Sequence, residues 1–526
     1  MTEPLSRVAS QFGLDDPARH DAWRQRLEED SAVIEPLRRT DLRASSNLVT
    51  VADLTRRTPE NPLPPTGGVK PDGRAWGLAR CSESIEDRVR GVLAEIRARP
   101  ELNAFTEVFD GEAVQTARDL DQRLSRGEKL GPLGGCLVAV KDLIDVKGYR
   151  TTGGTRALQN MPAERDAPAV ARLRNADAVI VGVTNLHALA YGALSTSSEF
   201  GTVGNPLRPG AVAGGSSGGS AAAVSAGLAD IALGTDTAGS IRIPSALCGV
   251  VGLKPTYGRV PTAGVQALGP TLDHVGPITR TVADAALALE LMSDQPFTTP
   301  LARWQSLDNV VIGLPDHYFG DRLEPEIREA LESAVSAIRD LGGRLRRVDL
   351  PSVDLSPAAQ LCTLSSEAFD VHRELLAEQG DKLPEDVRLR LEMGMFRTGP
   401  DYVRAQRLRA QIQAEMDNAL RDADLLLVPT LPITAPPVGA SHVEVEGERW
   451  TTQFAVTRLT MPFNLTGFPA LTLPWSSDRH GGGIGIQLAA RPMAEATLLG
   501  AAHAMELHRG VSVTVSRGVS AERPDV

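Results

Sequence analysis

The sequence is poor in cysteine and has no excess of positive charge. Its 526 residues include only four cysteines, Cys81, Cys136, Cys248 and Cys362, and no Cys-x-x-Cys pair. This pattern excludes a disulfide framework and a cysteine zinc site, and it is typical of buried or free thiols in a reducing compartment. The net charge of −11 argues against a nucleic-acid partner, because binding to phosphates depends on lysine and arginine.

Long apolar runs and metal-binding histidine motifs are also missing. No apolar run approaches the length of a membrane-spanning helix, and the first residues, MTEPLSRVASQFG, lack the apolar core of a signal peptide. The nine histidines include no His-Glu-x-x-His motif. We expect a cytoplasmic protein with no membrane partner, no metal and no cofactor. The apolar share of 42% and the charged share of 23% are typical of a globular enzyme with a large core.

The most informative stretch runs from Gly214 to Ser245 and reads GGSSGGSAAAVSAGLADIALGTDTAGSIRIPS. It contains two glycine-rich turns with hydroxyl side chains, GGSSGG and GTDTAGS. Ser216 and Ser217 lie in the first turn, and Ser240 ends the second. Because glycine allows close approach and positive φ, such a turn can direct several N–H groups at one point beside a hydroxyl. An oxyanion hole next to a nucleophile needs that geometry.

Three other interpretations compete for this stretch. A flexible Gly/Ser linker is disfavoured because an Ala-rich helix and an apolar segment follow at once. A phosphate-binding loop is disfavoured because the stretch contains no Gly-Lys-Ser/Thr and no GxGxxG motif. Residues 214–218 fit the G-x-S-x-G nucleophile elbow, which needs a strand directly upstream. Residues 205–212 read NPLRPGAV, and their two prolines argue against a strand there.

The whole stretch resembles the signature of the amidase signature family. The residues that carry the resemblance are Gly214, Ser216, Gly219, Gly234, Asp236, Ser240, Arg242 and Pro244. One variation is Ala238, at a position where many members of the family have a second glycine. The resemblance extends over about residues 80–510 and is densest between Leu137 and Arg280.

A lysine at the end of a predicted strand extends the resemblance. The apolar run LVAV, at residues 137–140, ends in Lys141, and lysine at such a position usually lies in solvent. The run also resembles the V-A-I-K strand of kinases, but the HRD and DFG segments of kinases are missing. In the amidase signature family this strand-end lysine is catalytic. The resemblance therefore implies a catalytic role for Lys141.

The resemblance implies that an amide is hydrolysed through an acyl-serine. Ser240 would be the nucleophile, and Ser216 would pass its proton to Lys141. The backbone N–H groups expected to hold the oxyanion are those of Thr237, Ala238, Gly239 and Ser240. The side chains expected to support this turn are Asp236, Arg242 and Ser217. The expected substrate is a linear small-molecule amide, which yields a carboxylate and ammonia or an amine.

We predict an α/β protein with a large mixed β-sheet covered by helices over residues 76–526, preceded by a helical extension over residues 1–75. Alternating strand and helix patterns support the sheet, and the rest of its description follows from the resemblance. In the extension, two short amphipathic helices precede a Pro/Gly-rich linker. These helices bury little surface alone, so they should pack on the main body or on another subunit. We expect a homodimer, with the extension as a dimerisation element.

Other functions stay open at this point. A urethane or ester hydrolase would use the same residues. The glutamine-amidotransferase branch of the family, which supplies ammonia from glutamine to a mischarged tRNA, usually has an aspartate where Thr457 stands, so glutamine is disfavoured. A non-catalytic scaffold would not need the lysine and both serines together. A Ser-His-Asp arrangement would use a histidine as base, with His274 beside Asp273 as the candidate.

Overall fold

The computed structural model describes residues 2–14, 16–42, 84–293, 301–315 and 317–510. The predicted Pro/Gly linker and the predicted boundary between extension and main body lie outside these residues. Among the described helices, none combines the length and the apolar character that crossing a membrane requires.

One large mixed sheet runs through the main body. The described strands are β1 (Phe105–Val108), β2 (Leu137–Lys141), β3 (Val179–Thr184), β4 (Ile231–Asp236), β5 (Val251–Lys254), β6 (His274–Thr279), β7 (Val311–Pro315), β8 (Arg344–Val348), β9 (Leu425–Pro429), β10 (His442–Val445), β11 (Glu448–Thr451), β12 (Ala470–Ser477) and β13 (Gly483–Ala490). Eleven of them form a sheet in the order β1-β3-β2-β4-β6-β5-β12-β13-β9-β7-β8, and β10 and β11 pair separately. β2 is parallel to β3 and β4, whereas β6 is antiparallel to β4. The predicted mixed sheet is confirmed.

Helices alternate with these strands along the chain. The described helices are α1 (Thr2–Ser10), α2 (His20–Arg39), α3 (Ile85–Ala98), α4 (Asp110–Ser125), α5 (Pro168–Asn175), α6 (Gly218–Ser225), α7 (Arg242–Leu247), α8 (Val282–Met292), α9 (Pro325–Asp340), α10 (Ser356–Gln379), α11 (Glu385–Glu392), α12 (Gly399–Ala419), α13 (Thr452–Thr457), α14 (Met461–Thr466) and α15 (Glu495–His508). Ser84 caps α3, since its hydroxyl accepts the N–H of Asp87 at 3.0 Å.

The sheet is buried on both faces around β2. Leu137 and Ala139 pack in the core cluster that contains α3, α4 and α6. Val138 and Val140 pack in the opposite cluster with α5, α8 and α9. A strand covered on both sides needs apolar residues at successive positions, which explains the run LVAV. β2 therefore carries its last residue into the interior of the protein.

The second helix of the extension packs on the main body. α2 buries Trp23, Ile34 and Leu37 and lies against α10 and α12. Its Arg38 guanidinium donates to both carboxylate oxygens of Asp401, each at 2.9 Å. Of the two packing alternatives that the sequence left open, the structure shows contact with the main body.

Candidate active site

β4 leads the second glycine-rich turn into the centre of the molecule. The strand is buried along its length and ends at Asp236, and α7 begins six residues later at Arg242. Within the turn, Gly239 has a φ of 129°, and a Cβ at this position would lie 2.1 Å from Thr460 Oγ1. Both the backbone conformation and the available space therefore require glycine. The turn ends in Ser240, which is 6% exposed.

β2 places a fully buried lysine beside this turn. Lys141 Nζ donates to Ser216 Oγ at 2.8 Å and to Thr235 Oγ1 at 2.7 Å. Burial disfavours the ammonium form and lowers the pKa of Lys141 to about 7, against the opposing attraction of Asp236 and Asp273. Near neutral pH, a substantial fraction of this lysine is therefore a free amine that can accept a proton.

The first glycine-rich turn brings two serines to the same place. Ser216 is fully buried, and the peptide bond between Gly215 and Ser216 is cis. The next residue, Ser217, donates from its backbone N–H to the carbonyl oxygen of Ser240 at 3.2 Å. Its hydroxyl donates to the carbonyl oxygen of Thr235 at 3.1 Å. The two turns are thus joined directly beside the end of β2.

Asp236 and Arg242 form a fully buried ion pair that organises the second turn. The Arg242 guanidinium donates to both carboxylate oxygens at 3.0 Å. The carboxylate also accepts the backbone N–H groups of Gly239 at 2.8 Å and of Ile241 at 3.1 Å. Burial alone would raise the pKa of Asp236, but Arg242 holds that pKa below its ordinary value. The N–H of Gly239, predicted as an oxyanion donor, is therefore engaged within the turn in this structure.

Two amides from the C-terminal part of the chain complete this network. Arg242 donates to the side-chain oxygens of Asn464 and Gln487, each at 2.6 Å. The Asn464 amide donates in turn to the Asp236 carboxylate at 2.7 Å. Neither amide was predicted, because they lie 222 and 245 residues beyond Arg242 in the sequence. The signal that could have found them is that their segments, NLTGFP and GIGIQL, belong to the family resemblance.

Two further contacts of the site come from residues that were not predicted. Thr235, which hydrogen bonds to Lys141, stands inside the signature stretch. Gln360 on α10 donates from its side chain to the carbonyl oxygen of Thr237 at 3.0 Å. The segment around Gln360 shows little of the family pattern, so no sequence motif indicated its place.

His274 does not make the contacts of a general base in a Ser-His-Asp arrangement, which would join a serine hydroxyl and an aspartate carboxylate. Its Nδ1 donates to the carbonyl oxygen of Leu272 at 2.6 Å, and its Nε2 accepts from Lys254 Nζ at 3.1 Å. Burial lowers its pKa well below the ordinary value. The Asp273 carboxylate accepts the hydroxyl of Thr237 at 2.6 Å. The structure therefore gives no support to His274 as the base.

A cavity of about 740 Å³ reaches the second turn at Ala238. Its lining comes from α2, α10, α13, α14 and the hairpin of β10 and β11. Thr457 and Gln360 are among the lining residues. In the part of the chain that the structure describes, no cluster of three or more His, Cys, Asp or Glu side chains could hold a metal ion.

Known proteins resemble this chain over most of its length. The family model described as Amidase matches residues 87–499. The chain is 39% identical over 428 residues to an amidase of Pseudomonas putida, covering 79% of this chain and 90% of that protein. It is 35% identical over 474 residues to a glutamyl-tRNA(Gln) amidotransferase component of Synechococcus sp. (strain RCC307), covering 84% of this chain and 96% of that protein. A crystal structure of an amidase matches with a TM-score of 0.76 and 35% identity, over 81% of this chain and 96% of that one.

An enzyme that hydrolyses amides is the class of protein that the matched family and the mixed sheet define. The chain belongs to the amidase signature family, as the signature stretch predicted. The family and the fold class expected from the sequence are thus both confirmed.

Proposed function

We propose that this enzyme hydrolyses its amide through an acyl-serine on Ser240, with Ser216 and Lys141 as the proton relay. The observation that carries the proposal is the 2.8 Å hydrogen bond between Lys141 Nζ and Ser216 Oγ in a fully buried site. A serine hydroxyl is a weak nucleophile unless a base accepts its proton. A lysine with a pKa of about 7 is a suitable base at neutral pH.

Acylation follows from this relay. The Ser240 oxygen bonds to the amide carbonyl carbon, while its proton moves to Ser216 Oγ and the Ser216 proton moves to Lys141 Nζ. Collapse of the tetrahedral intermediate breaks the C–N bond, and the leaving nitrogen receives a proton through Ser216. Water then attacks the acyl-serine, gives its proton to the same relay, and releases the carboxylate as the Ser240 oxygen is reprotonated.

Backbone N–H groups would stabilise the oxyanion that forms in both steps. We assign this role to Thr237, Ala238 and Ser240. Gly239 would instead shape the turn, because its N–H donates to Asp236 and its φ is 129°. The ion pair behind the turn fixes these donors before the substrate arrives, so they need no reorganisation during the reaction.

The proposed substrate is a linear carboxylic amide. The relative named Amidase supports this class, and the glutamyl-tRNA(Gln) amidotransferase relatives make glutamine the second candidate. Thr457 in the cavity wall is neutral, and its hydroxyl donates to the carbonyl oxygen of Gln453 at 2.9 Å. It offers no negative charge to the α-ammonium group of glutamine. Urethanes and esters present the same carbonyl carbon and are further candidates.

A substrate panel with a chemical trap tests this proposal. Amides, anilides, carbamates and esters are offered to the wild type and to Ser240→Ala in the presence of hydroxylamine. We expect amide turnover and hydroxamate formation by the wild type, and neither by the variant. Turnover of a good substrate without hydroxamate at saturating hydroxylamine would indicate direct attack by water and would overturn the acyl-serine.

We also propose a homodimer in a reducing, cytoplasmic compartment. The free, buried thiols of Cys136, Cys248 and Cys362 support the compartment. The dimer is proposed from the resemblance alone, which implies that a helical extension of this kind helps amidases of the family to form dimers. Sedimentation of the full chain and of a chain lacking residues 1–75 tests the assembly. A monomeric full chain, or an unchanged dimer after truncation, would contradict the proposed role of the extension.

A further inference from the structure

The N-terminal helix α2 forms one wall of the cavity that reaches the catalytic turn. Its residues in the lining are Arg26, Glu29, Asp30, Ala32 and Val33. The helix is fixed to the main body on both sides of this segment. Trp23 Nε1 donates to Glu392 at 2.7 Å, and Arg38 donates to Asp401 at 2.9 Å. A wall anchored at two points can select ligands by their shape.

The buried charges of this cavity are paired with one another. Asp30 and Arg397, which are 3% and 5% exposed at their side chains, form an ion pair. Asp30 also pairs with Arg26 at 3.1 Å, and Arg390 pairs with Asp386 at 2.7 Å. Carboxylates and guanidinium groups that already neutralise each other give little affinity for a charged ligand. Arg449, on the hairpin of β10 and β11, is a lining residue outside these pairs and is exposed to solvent. The buried part of the cavity therefore favours a neutral ligand.

The rest of the lining is largely apolar and surrounds a large volume. Apolar side chains in it include Val33, Leu361, Leu364, Met393, Trp450 and Phe454. A volume of about 740 Å³ lies in the range of pockets that take drug-sized ligands. A small amide such as propionamide would leave most of it unfilled. Filling it with apolar groups removes apolar surface from water, which favours binding.

We propose that α2 makes this enzyme selective for neutral amides that carry a bulky apolar group, aromatic or branched, on the acyl or amine portion. The inference rests on the proposed function, because the cavity would select what reaches Ser240. The cavity is continuous with the reaction centre, since Ala238 belongs to both the lining and the catalytic turn. The extension is therefore a specificity element, whatever its part in assembly.

Two substitutions on the cavity side of α2 test this assignment. Ala32→Trp adds an indole to the cavity wall. Because Ala32 is exposed, this substitution removes no core packing. Val33→Trp is the second variant, from a half-buried position in the same wall. Ser31→Trp is the matched control, because Ser31 is exposed on the same helix and lies outside the lining.

The readout is the ratio of kcat/KM for a bulky amide to kcat/KM for propionamide. The bulky amides are 4-phenylbutyramide, which varies the acyl portion, and propionanilide, which varies the amine portion. We expect the wild type to prefer at least one of them. Ala32→Trp or Val33→Trp should lower that preference by about tenfold, as expected when a pocket loses room for several carbon atoms. Ser31→Trp should leave the ratio unchanged. Equal ratios in all four proteins would overturn the inference.

A binding measurement separates failure of this inference from failure of the proposed function. Calorimetry follows 4-phenylbutyramide and propionanilide binding to Ser240→Ala, alone and combined with Ala32→Trp or Ser31→Trp. If Ala32→Trp weakens binding and Ser31→Trp does not, the result supports α2 as a wall of the binding cavity, even if the wild type shows no turnover. Binding that neither tryptophan changes, or absence of binding beside efficient propionamide turnover, would refute the role of α2.

Discussion

A single buried amine supplies the base of the proposed reaction. A lysine in water has a pKa of about 10.4 and is charged at neutral pH, whereas burial lowers the pKa of Lys141 to about 7. Activity needs the free amine, so it should rise as pH increases through this value.

The free energy of unfolding should also rise with pH because of Lys141. Between pH 7 and about 10 the unfolded chain binds more protons at this site than the folded chain, so the free energy of unfolding rises with pH.

Replacing this lysine by arginine separates charge from basicity. Lys141→Arg keeps a cation, but a guanidinium does not deprotonate in the working range. We expect kcat/KM to fall by about 10²-fold or more, the usual size of a general-base effect, and Lys141→Ala to lose as much. The wild-type pH profile of kcat/KM should rise through one ionisation near pH 7. A fully active arginine variant, or one indispensable residue among the nine histidines, would rule out the relay.

Removing one partner of the buried ion pair should be costly for the fold. Arg242→Met leaves the Asp236 carboxylate buried without its counter-charge, and such changes destabilise proteins by about 3–5 kcal/mol. Urea unfolding measures the loss. In Arg242→Met combined with Asp236→Asn, the isolated charge is gone, so the double variant should be more stable than the sum of the two single effects predicts. Additive effects would mean that the two side chains do not depend on each other.

At the scale of the element, short-range sequence patterns predicted individual strands and helices. The apolar run at β2 and the amphipathic patterns in the extension predicted their elements, because each pattern marks the positions that become buried. The side chains that contact an element from distant parts of the sequence could not be predicted in this way. Asn464, Gln487 and Gln360 reach the site from distant helices and strands, and no local period indicates which distant side chain an arginine or a carbonyl will meet.

The docking of α2 gives a prediction at this scale. Trp23→Phe keeps most of the apolar contact but removes the hydrogen bond to Glu392, whose carboxylate is buried. We expect faster tryptic cleavage within α2 and a loss of about 1.5–3 kcal/mol, the range for hydrogen bonds to charged groups. Trp304→Phe is the control, because it makes the same chemical change beside Gly500, away from α2. Equal cleavage rates in wild type and Trp23→Phe would show that this bond does not hold the helix.

For the whole molecule, the sequence predicted the family and the mixed sheet, but it did not predict where the extension packs. Its apolar stripe on Trp23, Leu27, Ile34 and Leu37 predicted that α2 must be covered. The stripe alone did not distinguish the main body from another subunit. The structure places it on α10 and α12, and this position brings Ala32 to the substrate cavity.

The same cavity predicts that glutamine is a poor ammonia donor. Thr457 is buried and neutral, and the buried Asp30 carboxylate in the same cavity is already paired with Arg397. A missing hydrogen bond to a charged group costs about 1.5–3 kcal/mol, so kcat/KM for glutamine should be at least about tenfold below that for a neutral amide of similar length. Coupled ammonia detection with glutamine and hexanamide gives the comparison. Equal rates on the two substrates would show that another group of this site binds the α-ammonium.

Identification of the acylated residue tests the central claim most directly. The wild type is mixed with a substrate that it hydrolyses, quenched with acid during the first turnover, digested and analysed by mass spectrometry, with fragmentation that separates Ser216 from Ser240. The account predicts an acyl group on Ser240 in the wild type and none anywhere in Ser240→Ala. An acyl group on Ser216 or Cys248, or turnover without any acylated peptide, would contradict it.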